Sequence, residues 1–289
     1  MSSKAMSTKR RGKAKDRRVN SLLRDFRERD DDLMAENKAR YLKGYEKALK
    51  NRTVVGAGVW SDLDSLGQFY YDLRGCKRVA EGNLVDGWRD IERSTYYVAM
   101  RLSVLEPKLL QGYAGECAGR LLGHSVLLEW WDIAERMARI VVENANAWSC
   151  AFFQSFAVEM WRRLRPEAMV TGPSAPLGVY QKILDAWTDE ARLAEALLEA
   201  IEYHLQNTAM FEDGDNAFTD VWELAPLEIE LIRKVRAAEG LSMPAIEHPL
   251  LDTPFAQIPG PPSRYRPEDD PLVQQALALT RELMPELGL

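Results

Sequence analysis

Residues 190–206 read Glu190-Ala-Arg-Leu-Ala-Glu-Ala-Leu-Leu-Glu-Ala-Ile-Glu-Tyr-His-Leu-Gln206, and this stretch decides the fold class. Nearly every residue in it is a good helix former, and neither Gly nor Pro interrupts. At about 100° per residue, Leu193, Leu197 and Ile201 fall on one side while Glu195, Glu199 and Glu202 fall on the other. That period belongs to a helix with one buried face.

The same period recurs in both directions along the chain. Towards the C-terminus a helix is expected over 226–239, where Pro226 suits a first turn. Towards the N-terminus, helices are expected over about 179–186, 147–164, 120–143 and 83–105. Another follows Ser61, whose S-x-x-D spacing resembles a capping box, and carries Leu63, Leu66, Phe69, Tyr70 and Leu73. From Val19 to Leu49 apolar residues recur at steps of three, four, seven and eight, which predicts a single long helix. No alternating β pattern and no exact repeat interrupts this series. The predicted class is all-α, an antiparallel helical bundle or short helical-hairpin array.

Two segments break the pattern. Pro166, Gly172, Pro173, Pro176 and Gly178 make 165–178 a loop, which would divide one all-α domain over 19–289 into subdomains 19–165 and 178–289. Residues 244–267 hold seven of the 14 prolines, which excludes a regular helix there. Ile246, Leu250, Leu251, Phe255 and Ile258 are too apolar for a free linker, so the reading is a Pro-rich strap laid over the helices. Asp270 then caps a C-terminal helix with Pro271 at its first position and Leu272, Ala276, Leu279 and Leu283 facing inward.

Composition narrows the class of molecule. With 289 residues, 46% hydrophobic and 28% charged, the chain is neither wholly disordered nor a coiled-coil rod. No apolar run approaches the roughly 18–20 residues of a membrane span. The three cysteines, Cys76, Cys117 and Cys150, are far apart, which fits reduced thiols. No apolar segment follows the basic N-terminus as in a secretory signal, so a cytoplasmic location is expected. The net charge of −6 hides a division, because residues 1–18 carry +7 and the remainder −13. Residues 1–18 are expected to be a disordered basic tail. No aromatic residue is interleaved among its charges, so nucleic acid is not the expected partner.

Catalytic templates fail on particular counts. Val54-Val55-Gly56-Ala57-Gly58-Val59-Trp60-Ser61 resembles a dinucleotide loop, but Ser61 stands where the third glycine is needed and no βαβ alternation surrounds it. A turn between helices explains both glycines. Asp30-Asp31-Asp32 suggests a magnesium site of the kind used on prenyl or phosphorylated substrates. Basic neighbours Arg29 and Lys38 and the lack of a second carboxylate cluster favour a solvated helix face instead. Leu121, Ile201 and Ala245 stand three residues before His124, His204 and His248, so no Glu-x-x-His pair exists. H-E-x-x-H and G-x-S-x-G are also absent. The expectation is a protein without enzymatic activity, cofactor or metal.

One charge feature stands out. Between Glu195 and Ile232 lie ten acidic residues and no Lys or Arg. Glu195, Glu199 and Glu202 share a helix face, and Glu212, Asp213, Asp215 and Asp220 continue the charge beyond it. Like charges at i,i+4 repel by about 0.2–0.5 kcal/mol, and no lysine nearby in sequence offsets them. The turn at 212–216 lacks the D-x-D-x-D-G order of a calcium loop. These seven residues therefore form a candidate docking face for a basic partner.

The layout resembles the all-α immunity proteins that bacteria pair with polymorphic toxins, including those of contact-dependent secretion systems. The likeness rests on Trp131-Asp-Ile-Ala-Glu-Arg-Met-Ala-Arg-Ile140 and on Ile246-Glu-His-Pro-Leu-Leu-Asp-Thr-Pro-Phe-Ala-Gln-Ile-Pro259, followed by Asp270-Pro-Leu-Val-Gln-Gln and a terminal helix. It extends over roughly residues 60–289 in general layout. The resemblance implies a cytoplasmic protein that binds one cognate toxin and blocks it without catalysis. A basic toxin such as a nuclease would suit the acidic face. Other readings of the same residues are an all-α magnesium enzyme acting through Asp31 and Asp32, and a scaffold or nucleic-acid-binding protein using the basic tail.

Overall fold

The computed structural model describes residues 17–105, 113–144, 152–168, 170, 176–208 and 218–289. Among these, helices dominate, and the one β-contact is an isolated bridge between Thr208 and Phe218. The all-α class is therefore what the chain adopts. Residues 1–16 of the basic tail lie outside the described residues. Arg17 and Arg18, expected in that tail, instead open the first helix, α1 (17–27).

The single helix expected over 19–49 is two. Asp30 ends the break after α1 by accepting hydrogen bonds from the backbone N–H of Asp32 at 2.8 Å and of Leu33 at 3.2 Å, which starts α2 (Asp31–Lys50). The apolar stripe is split with it. Val19, Leu22 and Phe26 enter one core cluster, whereas Met34, Tyr45 and Ala48 enter another.

Next comes α3 (Val59–Leu66), capped by Gly58 rather than by Ser61. A π-helical turn, Gly67–Asp72, leads into α4 (Leu73–Ala80). α5 (Leu84–Val104) lies against α4 at a close crossing. A Cβ on Gly75 would sit 2.8 Å from the Gly87 carbonyl oxygen, and one on Gly87 would sit 3.0 Å from the Gly75 carbonyl oxygen. Only glycine admits two backbones that near. The approach brings Arg74 and Arg78 onto buried Asp90, with Arg74 Nε at 2.7 Å and Arg78 Nη1 at 2.8 Å.

The helix expected over 120–143 also divides. α6 (Tyr113–Leu127) and α7 (Trp131–Glu143) are separated at Glu129, whose φ of 59° lies in the left-handed region. α6 packs against α7 and α8 (Phe152–Leu164). The short α9 (Gln181–Asp185) precedes α10 (Glu190–Gln206), which has the bounds expected of it and is capped by Asp189. α11 (Leu227–Ala238) closes the larger cluster. Both clusters draw residues from each side of the 165–178 segment, so that segment joins parts of shared cores.

The Pro-rich strap behaves as its apolar residues require. Leu250 and Phe255 are fully buried on short 3₁₀ turns, and the Phe255 ring meets Phe26 of α1 at 5.3 Å. Beyond it the chain is tied to α5 by consecutive residues. Glu92 Oε2 accepts from the backbone N–H of Arg264 at 2.5 Å and of Tyr265 at 2.8 Å, and from the Ser263 hydroxyl at 2.8 Å. Arg93 pairs with Asp270 at 2.7 Å. Tyr97 and Tyr265 hydroxyls donate to the same Asp270 oxygen at 2.7 and 2.8 Å. The other oxygen caps α12 (Pro271–Leu283) through the Leu272 N–H at 3.1 Å. α12 is further held where Tyr45 donates to the Leu272 carbonyl at 2.6 Å and Trp60 to Thr280 at 2.9 Å.

Removing one partner of a buried pair leaves the other charge uncompensated, a loss of about 3–5 kcal/mol. Asp270→Ala is expected to lose that much in a denaturant titration. Asp270→Asn keeps a capping acceptor and is expected to lose less.

Candidate partner-binding surfaces

α10 presents its acidic side to solvent because its opposite side is consumed by the core. Leu193, Leu197, Ala200 and Ile201 are buried, whereas Glu195, Leu198 and Glu199 are exposed. The helix is thus a fixed rail for charge. Its acids are, however, compensated from outside the 195–232 window. Lys182 of α9 holds Glu199 at 2.5 and 2.8 Å, and His248 of the strap lies 3.3 Å from Glu202. Glu230 pairs with Arg233 at 3.2 Å. Glu228 is not on the surface at all, being buried 2.9 Å from His204 Nδ1. Among the described residues, Glu195 carries no ion pair.

The remaining predicted residues are only partly visible. Glu212, Asp213 and Asp215 lie outside the described residues, and Asp220 opens a 3₁₀ turn over Asp220–Glu223. The structure therefore brings Glu195, Glu199 and Glu202 together on α10, as the spacing requires.

The motifs set aside in the sequence have structural roles. Val54–Gly58 is the turn before α3, in which Gly56 takes a left-handed φ of 66° and Gly58 lies against the Thr53–Val54 backbone. Asp30 is a cap, and Asp31 pairs with Lys77 of α4 at 2.6 Å. No cluster of three or more His, Cys, Asp or Glu able to hold a metal ion occurs among the described residues. Nor is any described helix long and apolar enough to cross a membrane.

A second surface feature was not evident from spacing. Two adjoining cavities of about 520 and 580 Å³ run along α7 and share Asp132, Arg136 and Gly288. Tyr96, Trp130 and Trp131 line the first, and Glu135 and Arg139 line the second. Residues 287–289 lie between the two. Arg136 donates to the Leu287 and Gly288 carbonyls at 3.3 and 3.1 Å, and Arg281 donates to the main-chain oxygen of Leu289 at 2.8 Å. The α7 residues belong to the Trp131–Ile140 stretch, but their convergence with residue 288 spans some 150 positions. No local pattern could report it.

Between the π-helical turn, α5 and α6 lies a third, half-open hollow of about 40 Å³, lined by Asp72, Thr95, Cys117, Arg120 and Trp222. That is room for a water-sized molecule, not a substrate. Beside it His124 is fully buried, with Nδ1 2.8 Å from the Thr95 hydroxyl and the ring 4.9 Å from Trp222. Comparison with protein-family models, with curated proteins and with solved structures yields no match for this chain.

Burial pushes the His124 imidazole down from 6.5 to about 3, so it is neutral in the folded chain. An unfolded histidine takes up its proton below about 6.5, so this contribution to stability is complete above that pH and is lost as pH falls towards 3. Denaturant titrations between pH 7 and pH 4.5 are expected to show a loss from this group on the order of 2 kcal/mol. In His124→Leu the pH dependence should be shallower by that amount, whatever the variant's stability at pH 7.

Proposed function

We propose that this chain is an immunity protein, a stoichiometric inhibitor that binds a cognate bacterial toxin in the cytoplasm through the acidic side of α10. The observation that carries the reading is the exposed Glu195–Leu198–Glu199 surface, held on a helix whose other side is fully packed. Charges fixed on a rigid element lose little entropy on binding, and Glu195, Glu199 and Glu202 outnumber Arg192 and Lys182 on this side, an excess of acid that favours a basic partner. Leu198, 36% exposed, offers an apolar contact at the edge of this side. Lys182 and His248 moderate the face without covering Glu195.

A nuclease or another basic toxin is the partner this face suits. The inhibitor would occupy the surface that the toxin uses for phosphate, so that no chemistry is needed from the immunity protein itself. The resemblance of the 131–140 and 246–259 stretches to such proteins supports the same reading.

Co-expression with the product of the neighbouring upstream gene is expected to rescue growth and to yield a co-purifying complex. Its association rate should fall steeply from about 0.05 to 0.5 M salt, as surface charges are screened. Glu195→Lys with Glu199→Lys should weaken binding at least tenfold, mainly through the association rate. A complex indifferent to both salt and charge reversal would contradict the acidic-face reading.

A further inference from the structure

The cleft along α7 combines aromatic side chains with arginines. Trp130, Trp131 and Tyr96 furnish wide apolar faces, and Arg136 and Arg281 bring two guanidinium groups from different helices. Aromatic residues and arginine are the side chains that most often dominate binding energy at interfaces. Neither arginine meets a side-chain carboxylate among the described residues. Arg136 bonds to the carbonyl oxygens of Leu287 and Gly288, and Arg281 to the main-chain oxygen of Leu289. A neutral carbonyl, all that Arg136 meets there, is a weak acceptor for guanidinium. A carboxylate binds it roughly twice as strongly, often through two parallel bonds.

The segment seated there shows the shape the cleft accepts. Leu287 and Leu289 are half-buried, and Gly288 between them is exposed in a left-handed conformation, with φ of 58°. The pattern is apolar, small, apolar, with main-chain oxygens turned to the arginines. Acidic residues at the margin set a limit on charge. Glu129 is taken by Lys234 at 2.9 Å, but Asp132 and Glu268 are exposed and would repel a strongly acidic tract.

We propose that this cleft is a docking site for a partner's peptide segment bearing one acidic residue between two apolar ones. The chain's own residues 287–289 sit in it as a resident competitor. Displacing them joins the two cavities and frees Arg136 and Arg281 for the incoming carboxylate. The site is separate from the α10 face, and either can fail without the other.

Calorimetric titration with the peptide Ala-Leu-Glu-Leu-Ala, blocked at both ends, tests the proposal. The chain lacking residues 285–289 is expected to bind it at least tenfold more tightly than the full chain. Arg136→Gln in the shortened chain should reverse that gain, and Ala-Leu-Lys-Leu-Ala should not bind. If the shortened chain does not fold, Leu287→Ser in the full chain loosens the resident segment, and the same tenfold gain and the same Arg136 dependence are expected. Equal binding of the glutamate and lysine peptides, binding unaffected by Arg136→Gln, or no binding up to millimolar peptide would each overturn it.

Discussion

The carboxylate of Asp270, buried against Arg93, is the interaction on which the arrangement of this protein depends. One oxygen collects Arg93, Tyr97 and Tyr265, and the other starts α12. Such a pair contributes little net stability, because removing both charges from water offsets most of their attraction. Its value is positional. Arg93 and Tyr97 sit one helical turn apart on α5, so only one placement of residues 263–272 satisfies them together with Glu92. Both tyrosine hydroxyls, held protonated by burial and by the neighbouring Asp270 charge, donate to Asp270, and the Tyr97 oxygen also accepts from Arg93 Nε at 2.9 Å.

α5 can serve this purpose because it is shared. Trp88, Ile91, Val98, Ala99 and Leu102 belong to the larger core cluster, whereas Tyr97, Met100 and Val104 belong to the smaller. A helix buried on so many sides has few directions in which to move. Whatever α5 fixes is fixed relative to both cores. The C-terminal segment inherits that rigidity, and so does the α7 cleft, whose walls include Tyr96 and Met100 of α5 and Leu277 and Arg281 of α12.

Local signals were legible in the sequence and long-range ones were not. The 3.6-residue period alone gives the bounds of α10, and Asp270-Pro271 marks the start of α12 because cap and first turn are adjacent residues. Asp30 carried the same capping chemistry, but it lay among further aspartates in an unbroken apolar stripe that disguised the end of α1. The division between α6 and α7 rests on Glu129 adopting a left-handed conformation that glycine would have advertised. Charge was legible only in part. A window over 195–232 counts acids correctly, yet Lys182 and Arg233 pair with Glu199 and Glu230 from outside it, His248 hydrogen-bonds Glu202, and Glu228 is withdrawn into the core. The cleft depends on residues 136, 281 and 288 meeting, which no spacing rule anticipates.

The acidic side of α10 and the α7 cleft both require a body stiff enough to present them, and that stiffness comes from the weld between α5 and residues 263–272. Hydrogen exchange at the backbone N–H groups of Arg264, Tyr265 and Leu272 measures it directly, since each donates to a carboxylate within the weld. These three are predicted to exchange only through global unfolding, at the rate of the most protected amides of α5. Exchange at the rate of an open, Pro-rich linker, while α5 stays protected, would contradict a rigid weld.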